Sequence, residues 1–235
     1  MTVTRRNFLA ALGAAGAYTS VKAQEDARKE IVPGQHALKL AEGDRDGIYY
    51  IPRTYKEGVR TPLWLHLHGA GGTSQSAQSV FALADEFGVI ILAPDSRDEF
   101  TWDGVLRNWG PDVEFIAKAV NHVTGMFTVD STHLAVAGFS DGASYALSLG
   151  ISYGNNFSHI VSMSPGVMQP MAARGKPKIF ISHGTRDQVM PIDETSRRFV
   201  PRLKSLGYDV TYREYDGTHR PSAPIVREAF EWALR

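Results

Sequence analysis

Cysteine is absent from all 235 residues. The chain therefore forms no disulfide, offers no thiolate nucleophile and carries no lipid on a cysteine. An excess of one charge is missing as well, since 25 Lys and Arg stand against 25 Asp and Glu. With no basic patch or charge block, neither nucleic acid nor an anionic membrane surface is expected as a partner. No apolar run reaches the roughly 20 residues that a bilayer span requires, so no stable membrane anchor is expected. Internal repeats and low-complexity segments are lacking too. What remains suits one domain, because single α/β domains commonly run to about 200–250 residues and bury a core without staples.

The first residues read differently from the rest. Thr4-Arg5-Arg6-Asn7-Phe8-Leu9 leads into a small-residue apolar run to Tyr18 and then Val21-Lys22-Ala23. A basic start, a short apolar stretch and a small-x-small site have the form of a signal peptide. Paired arginines before Phe-Leu resemble a twin-arginine export signal. The expectation is a leader over 1–23 cleaved after Ala23, the twin-arginine export machinery as a partner, and a periplasmic or secreted domain over 24–235.

Within that domain, apolar strand-like runs alternate with helix-like spacing. Strands are predicted at Ile48 to Ile51, Leu63 to Leu67, Val89 to Ala93, His133 to Ala137, His159 to Met163, Ile179 to Ile181 and Val210 to Tyr215. Helices are predicted over 76–87, from Pro111 onward, after Ser140, over 192–206 and over 222–234. This alternation argues for an α/β fold, a mostly parallel sheet with helices on both faces. No insertion is long enough to be a cap domain.

One pentapeptide carries most of the chemistry. Gly138-Phe139-Ser140-Asp141-Gly142 sits between a predicted strand and a predicted helix, the setting of a nucleophile elbow. A serine hydroxyl needs a base, and the base needs an orienting acid. Asp187 follows the strand ending in Ile181-Ser182-His183-Gly184, and His219 follows the strand ending at Tyr215. Both positions lie past strand carboxyl ends, where ligands bind in open α/β sheets. Ser140, Asp187 and His219 are the candidate triad, with Asp193, on the expected helix, and Asp216, close in sequence to His219, as substitute acids if the loop is unusual. His68-Gly69-Ala70-Gly71-Gly72 ends another strand, and its small residues let backbone donors approach a carbonyl oxygen. The backbone N–H groups of Ala70 and Asp141 are the candidate oxyanion donors.

Taken together, these segments resemble the α/β-hydrolase superfamily, and within it the small phospholipase/carboxylesterase and polyhydroxybutyrate-depolymerase-like esterases. The likeness includes Ala93-Pro94-Asp95-Ser96-Arg97, Thr101-Trp102-Asp103 and Gly110-Pro111-Asp112-Val113, and departs at Ala143, where many relatives carry glycine. It implies a Ser-Asp-His esterase needing no cofactor, acting on a small or polymer-linked ester. The alternatives are a peptidase or amidase on the same scaffold, or a binding protein that kept the fold.

Other residues receive lesser readings. The loops over 95–108 and 164–175 are placed to shape the pocket, with Trp102 and Met168 as candidate substrate contacts. Arg97 and Asp103 are expected to pair and order the first loop. His66 and His68 share a strand face, but without a third ligand cluster no metal site is assigned. His68 is expected to hydrogen-bond within the oxyanion loop, and His183 to brace the Asp187 loop.

Overall fold

The computed structural model describes residues 31–106 and 108–235, so the expected leader and its cleavage site lie outside the described residues. Eight strands form one sheet: β1 (Gly34–Ala37), β2 (Gly47–Ile51), β3 (Thr61–Leu67), β4 (Ile90–Pro94), β5 (Val129–Phe139), β6 (His159–Met163), β7 (Lys178–Gly184) and β8 (Val210–Tyr215). Their spatial order is β1-β2-β4-β3-β5-β6-β7-β8. The β1–β2 and β2–β4 pairings are antiparallel, and the pairings from β4 through β8 are parallel.

Period-two alternation divides the strand side chains between two cores. Leu63, Leu65, Leu67, Val136 and Ile181 face one side and pack under α3 (Pro111–Met126), α4 (Asp141–Ser152) and α5 (Ser196–Ser205). Trp64, Ala135, Ala137, Met163 and Phe180 face the other. There they meet a 3-10 helix (Ser74–Val80), α1 (Phe81–Phe87) and α6 (Ala223–Ala233). A short α2 (Asp103–Leu106) lies in the loop after β4. No cap domain is built among the described residues.

Most expected elements are present, with shifted ends. The helix expected over 76–87 divides at Val80, whose φ of −113° and ψ of 1° lie outside the helical region. Its first half, Ser-Gln rich, is held only as the tighter 3-10 form, with the Thr73 hydroxyl accepting the Gln75 N–H. The helix expected from Ile192 begins at Ser196, because Thr195 has φ −122° and ψ −100°. Strand β1, with the sequence GQHA, was not expected. It forms because the antiparallel register to β2 supplies its hydrogen bonds.

Candidate active site

Ser140 sits at φ 58° and ψ −122°, a conformation that non-glycine residues rarely adopt. Such backbone costs about 1–3 kcal/mol and persists where surrounding packing imposes it. Glycine on both sides is what permits that packing. A Cβ on Gly138 would stand 2.2 Å from the Gly142 carbonyl oxygen, and one on Gly142 would stand 2.1 Å from the Leu67 carbonyl oxygen. The sharp turn lifts the serine hydroxyl off the end of β5.

The acid and base arrive from the two strands beyond. His219 Nε2 lies 2.9 Å from Ser140 Oγ, and His219 Nδ1 lies 2.7 Å from Asp187 Oδ2. A carboxylate only accepts, so Nδ1 carries the proton and Nε2 is free to accept from the serine. Their loops touch because Gly184 has no side chain: a Cβ there would lie 2.3 Å from the Thr218 carbonyl oxygen. The Phe139 ring packs against the imidazole of His219, centroid to centroid 4.8 Å.

Asp187 is buried and fully engaged. Its Oδ1 accepts the backbone N–H groups of Val189 and Met190, each at 2.9 Å. Burial alone would raise its carboxyl, but the hydrogen bonds from His219, Met190 and Val189 outweigh it and hold the group below its ordinary value. His183 Nε2 approaches the same Oδ2 at 3.1 Å and the Met190 carbonyl at 2.8 Å, while Nδ1 meets the Ser196 hydroxyl at 2.7 Å. Burial lowers the basicity of His183, against the pull of the Met190 carbonyl and Asp187. Its neutral ring thus donates into the Asp187 loop and braces it.

On the opposite side, His68 to Gly72 turns sharply after β3. The Gly72 N–H closes onto the Gly69 carbonyl at 3.0 Å, with Gly71 at φ 65°. The N–H groups of Ala70 and Asp141 have no protein acceptor among the described residues. Asp141 opens α4, so its N–H also lacks an intrahelical partner. Three consecutive residues clamp this region. The Phe100 carbonyl accepts the Gly71 N–H at 2.6 Å, the Thr101 hydroxyl donates to Asp141 Oδ2 at 2.6 Å, and the Trp102 indole N–H donates to the His68 carbonyl at 2.8 Å. His68 itself bonds the Gly69 carbonyl through Nδ1 and accepts the Ser96 N–H on Nε2. Both its ring nitrogens are therefore committed, which leaves none for a metal.

Three expectations are corrected here. Trp102 is 0% exposed and stacks between His68 and Tyr145, so it braces the oxyanion loop from beneath instead of facing substrate. Met168 packs against the core under α3 and α4. Its loop is pinned there by a row of serines on α4. The hydroxyls of Ser144, Ser148 and Ser152 accept the N–H groups of Gly166, Gln169 and Met171, each at 2.9 Å. Arg97 and Asp103 both order their loop, but through separate partners. The Arg97 guanidinium donates to the Asp95 carbonyl and lies over the Phe115 ring. Asp103 accepts the Gly110 and Asp112 N–H groups and the Tyr145 hydroxyl.

A strained serine in reach of a carboxylate-oriented imidazole, with unspent N–H donors beside it, is equipped for acyl transfer. The sequence agrees. The phospholipase/carboxylesterase family matches residues 47–231. The chain belongs to this family of α/β-hydrolases. It is 27% identical over 210 residues to the probable feruloyl esterase C of Aspergillus niger, covering 84% of this chain and 76% of that one. The acyl-protein thioesterase 1 of Gibberella zeae is 25% identical over 146 residues, 57% of this chain and 62% of that one. Among solved structures, esterase PE8 aligns with a TM-score of 0.65 at 19% identity, over 82% of this chain and 99% of that one. The CE1 ferulic acid esterase of Anaeromyces mucronatus aligns at 0.62 and 18% identity, over 89% and 95%. These structural likenesses concern the fold.

Sequence reasoning missed Phe100, and gave Thr101 only as part of the Thr101-Trp102-Asp103 likeness, with no role of its own. Nothing in the sequence tied that loop to Gly71 or Asp141.

Proposed function

We propose that this protein is an exported serine carboxylesterase that works through an acyl-enzyme on Ser140. The observation that carries the reading is the unbroken chain from Ser140 Oγ through His219 to Asp187 at a strained elbow. His219 takes the hydroxyl proton as Oγ attacks the ester carbonyl. The oxyanion that forms is met by the Ala70 and Asp141 N–H groups. Its collapse expels the alcohol, which receives the proton from His219. Water then attacks the acyl-enzyme with the same histidine as base, freeing the acid and restoring Ser140. Asp187 holds the imidazole tautomer and stabilises the imidazolium.

The resemblance of residues 1–23 to a twin-arginine leader supports an extracytoplasmic substrate. The uncapped site supports esters that approach from solvent, including acyl groups carried on a polymer. Relatives named as feruloyl esterases support an aryl acyl group over a long aliphatic one.

Hydrolysis of p-nitrophenyl esters of graded acyl length by the mature chain, beside Ser140→Ala, tests the reading. Turnover in the wild type and none in the variant is expected. Equal rates from both proteins would overturn it. Matched amides should be cleaved far more slowly, and comparable amide turnover would move the assignment to an amidase.

A further inference from the structure

Two histidines converge on one carboxylate oxygen. Asp187 Oδ2 lies 2.7 Å from His219 Nδ1 and 3.1 Å from His183 Nε2, while Oδ1 takes the Val189 and Met190 N–H groups. An ionised carboxylate has about four acceptor sites, so Asp187 is saturated. The triad uses one of these four bonds. Two others come from backbone N–H groups of the same loop. The fourth comes from a side chain at the end of β7, and nothing in the acyl-transfer chemistry calls for it.

The partners of His183 fix its tautomer. Around Nε2 stand only acceptors, Asp187 Oδ2 and the Met190 carbonyl at 2.8 Å, so Nε2 carries the proton and shares it between them. Nδ1 then accepts, and the Ser196 hydroxyl at 2.7 Å is its donor. His183 and Ser196 are both 0% exposed, so bulk water does not compete for these bonds. Ser196 opens α5, whose Val200 and Leu203 belong to the core. The triad acid is thereby tied to the core as well as to its own loop.

Two effects on His219 follow. Held through Oδ1 alone, the carboxylate is free to swing about that oxygen, and the His183 bond stops Oδ2 from turning away from His219. Each N–H donor also draws charge from the carboxylate, so Oδ2 is a weaker acceptor than it would be with His219 as its sole partner. Other charges nearby are compensated or exposed. Arg197 of α5 holds Glu214 of β8, Arg186 holds Asp216, and the Thr101 hydroxyl holds Asp141. Tyr215 donates its hydroxyl to the Arg220 carbonyl, and Arg220 itself is exposed.

We propose that His183 is a positioning residue for the reaction: through the shared Asp187 oxygen it aims the carboxylate at His219 and limits how strongly that carboxylate holds the imidazolium. The proposal rests on the esterase reading of Ser140.

The test uses two amide side chains of different reach. His183→Gln puts an amide N–H where Nε2 stood, within reach of Oδ2. His183→Asn puts its amide at the place of Nδ1, keeps a partner for Ser196 and falls short of Asp187. The pH dependence of kcat/KM on a p-nitrophenyl ester is measured with the Tm of each variant. In His183→Asn the midpoint of the acid limb should rise by about half a unit to one unit, because Asp187 loses a donor and holds the imidazolium more strongly. At high pH its kcat should be about ten-fold lower with KM little changed, the mark of a less well aimed base. His183→Gln should restore both. An acid limb unmoved in His183→Asn, whatever happens to Tm, would reduce His183 to structural support and overturn the proposal. Equal shifts in the two variants would overturn it too. Should His183→Asn not fold, Ser196→Ala frees the ring to turn and should move the limb the same way by less, and an unmoved limb there is equally fatal.

A second arm needs no turnover. In Ser140→Ala, NMR titration of the His219 ring should give a higher midpoint with His183→Asn than with His183→Gln. A wild type that hydrolyses no ester yet shows this difference would count against the esterase reading while upholding the action of His183 on His219. Identical midpoints would overturn the proposal whatever the substrate.

Discussion

The two halves of the site are built on different plans. In one, Ser140, His219 and Asp187 act through side chains, each joined to the next by a single hydrogen bond. In the other, the candidate donors are the backbone N–H groups of Ala70 and Asp141, and their positions are set by neighbours far away in sequence. Phe100, Thr101 and Trp102 bond Gly71, Asp141 and His68, so one loop ties the oxyanion turn to the elbow. A side-chain device fails when one residue changes. A backbone device degrades gradually, because the donors remain when one support is removed.

The sharpest break of that comparison is in the side-chain half. Ser140→Ala and His219→Ala should each lower kcat by about 10⁴–10⁶, and the double variant should be little worse than either. Single-turnover and steady-state rates on one activated ester would show this. Losses that multiply would mean that the two residues do not act as a unit.

A smaller effect is expected across the donor half. Thr101→Val removes the hydroxyl that holds Asp141 and leaves both N–H groups in place. A fall of about 10- to 100-fold in kcat with little change in KM is expected, the scale of a misplaced rather than a missing contact. Thr101→Ser should restore the rate, because it restores the bond. A KM effect in place of a kcat effect would make the clamp a substrate contact.

The same division explains what was legible in the sequence. Side-chain chemistry needs particular residue types past particular strands, so Ser140, Asp187 and His219 were found from the elbow pattern and the strand ends. The parallel sheet was legible because β3 to β6 are apolar runs separated by helical spacing, with β7 following β6 across a loop. Strand β1 was not, since GQHA has no strand composition and owes its state to pairing with β2. Trp102 was misread for a related reason. An aromatic in a loop near a site looks the same in sequence whether it faces solvent or supports a turn, and only the bond to the His68 carbonyl decides.

Acid should separate the halves in sign as well as in size. Asp187 is held below its ordinary value, so its interactions stabilise the fold above the unfolded carboxyl range and are lost as pH falls through the folded value. Asp112 anchors the clamp loop by accepting the Arg97 and Asp103 N–H groups at 2.5 and 2.7 Å. It behaves oppositely: burial raises it from 3.8 to about 6, although those two hydrogen bonds pull it down. The folded state therefore binds this proton more tightly than the unfolded chain does. Its contribution is fully present below pH 3.8 and is lost as pH rises through about 6. Asp112→Asn removes that titration, so the stability difference between wild type and variant should shift against the wild type between pH 4 and 6, by about 1–3 kcal/mol. Urea midpoints measured at half-unit steps of pH would show it. A difference that is flat across this range would mean that Asp112 ionises at its ordinary pH inside the fold, and that the donor half has no acid response of its own.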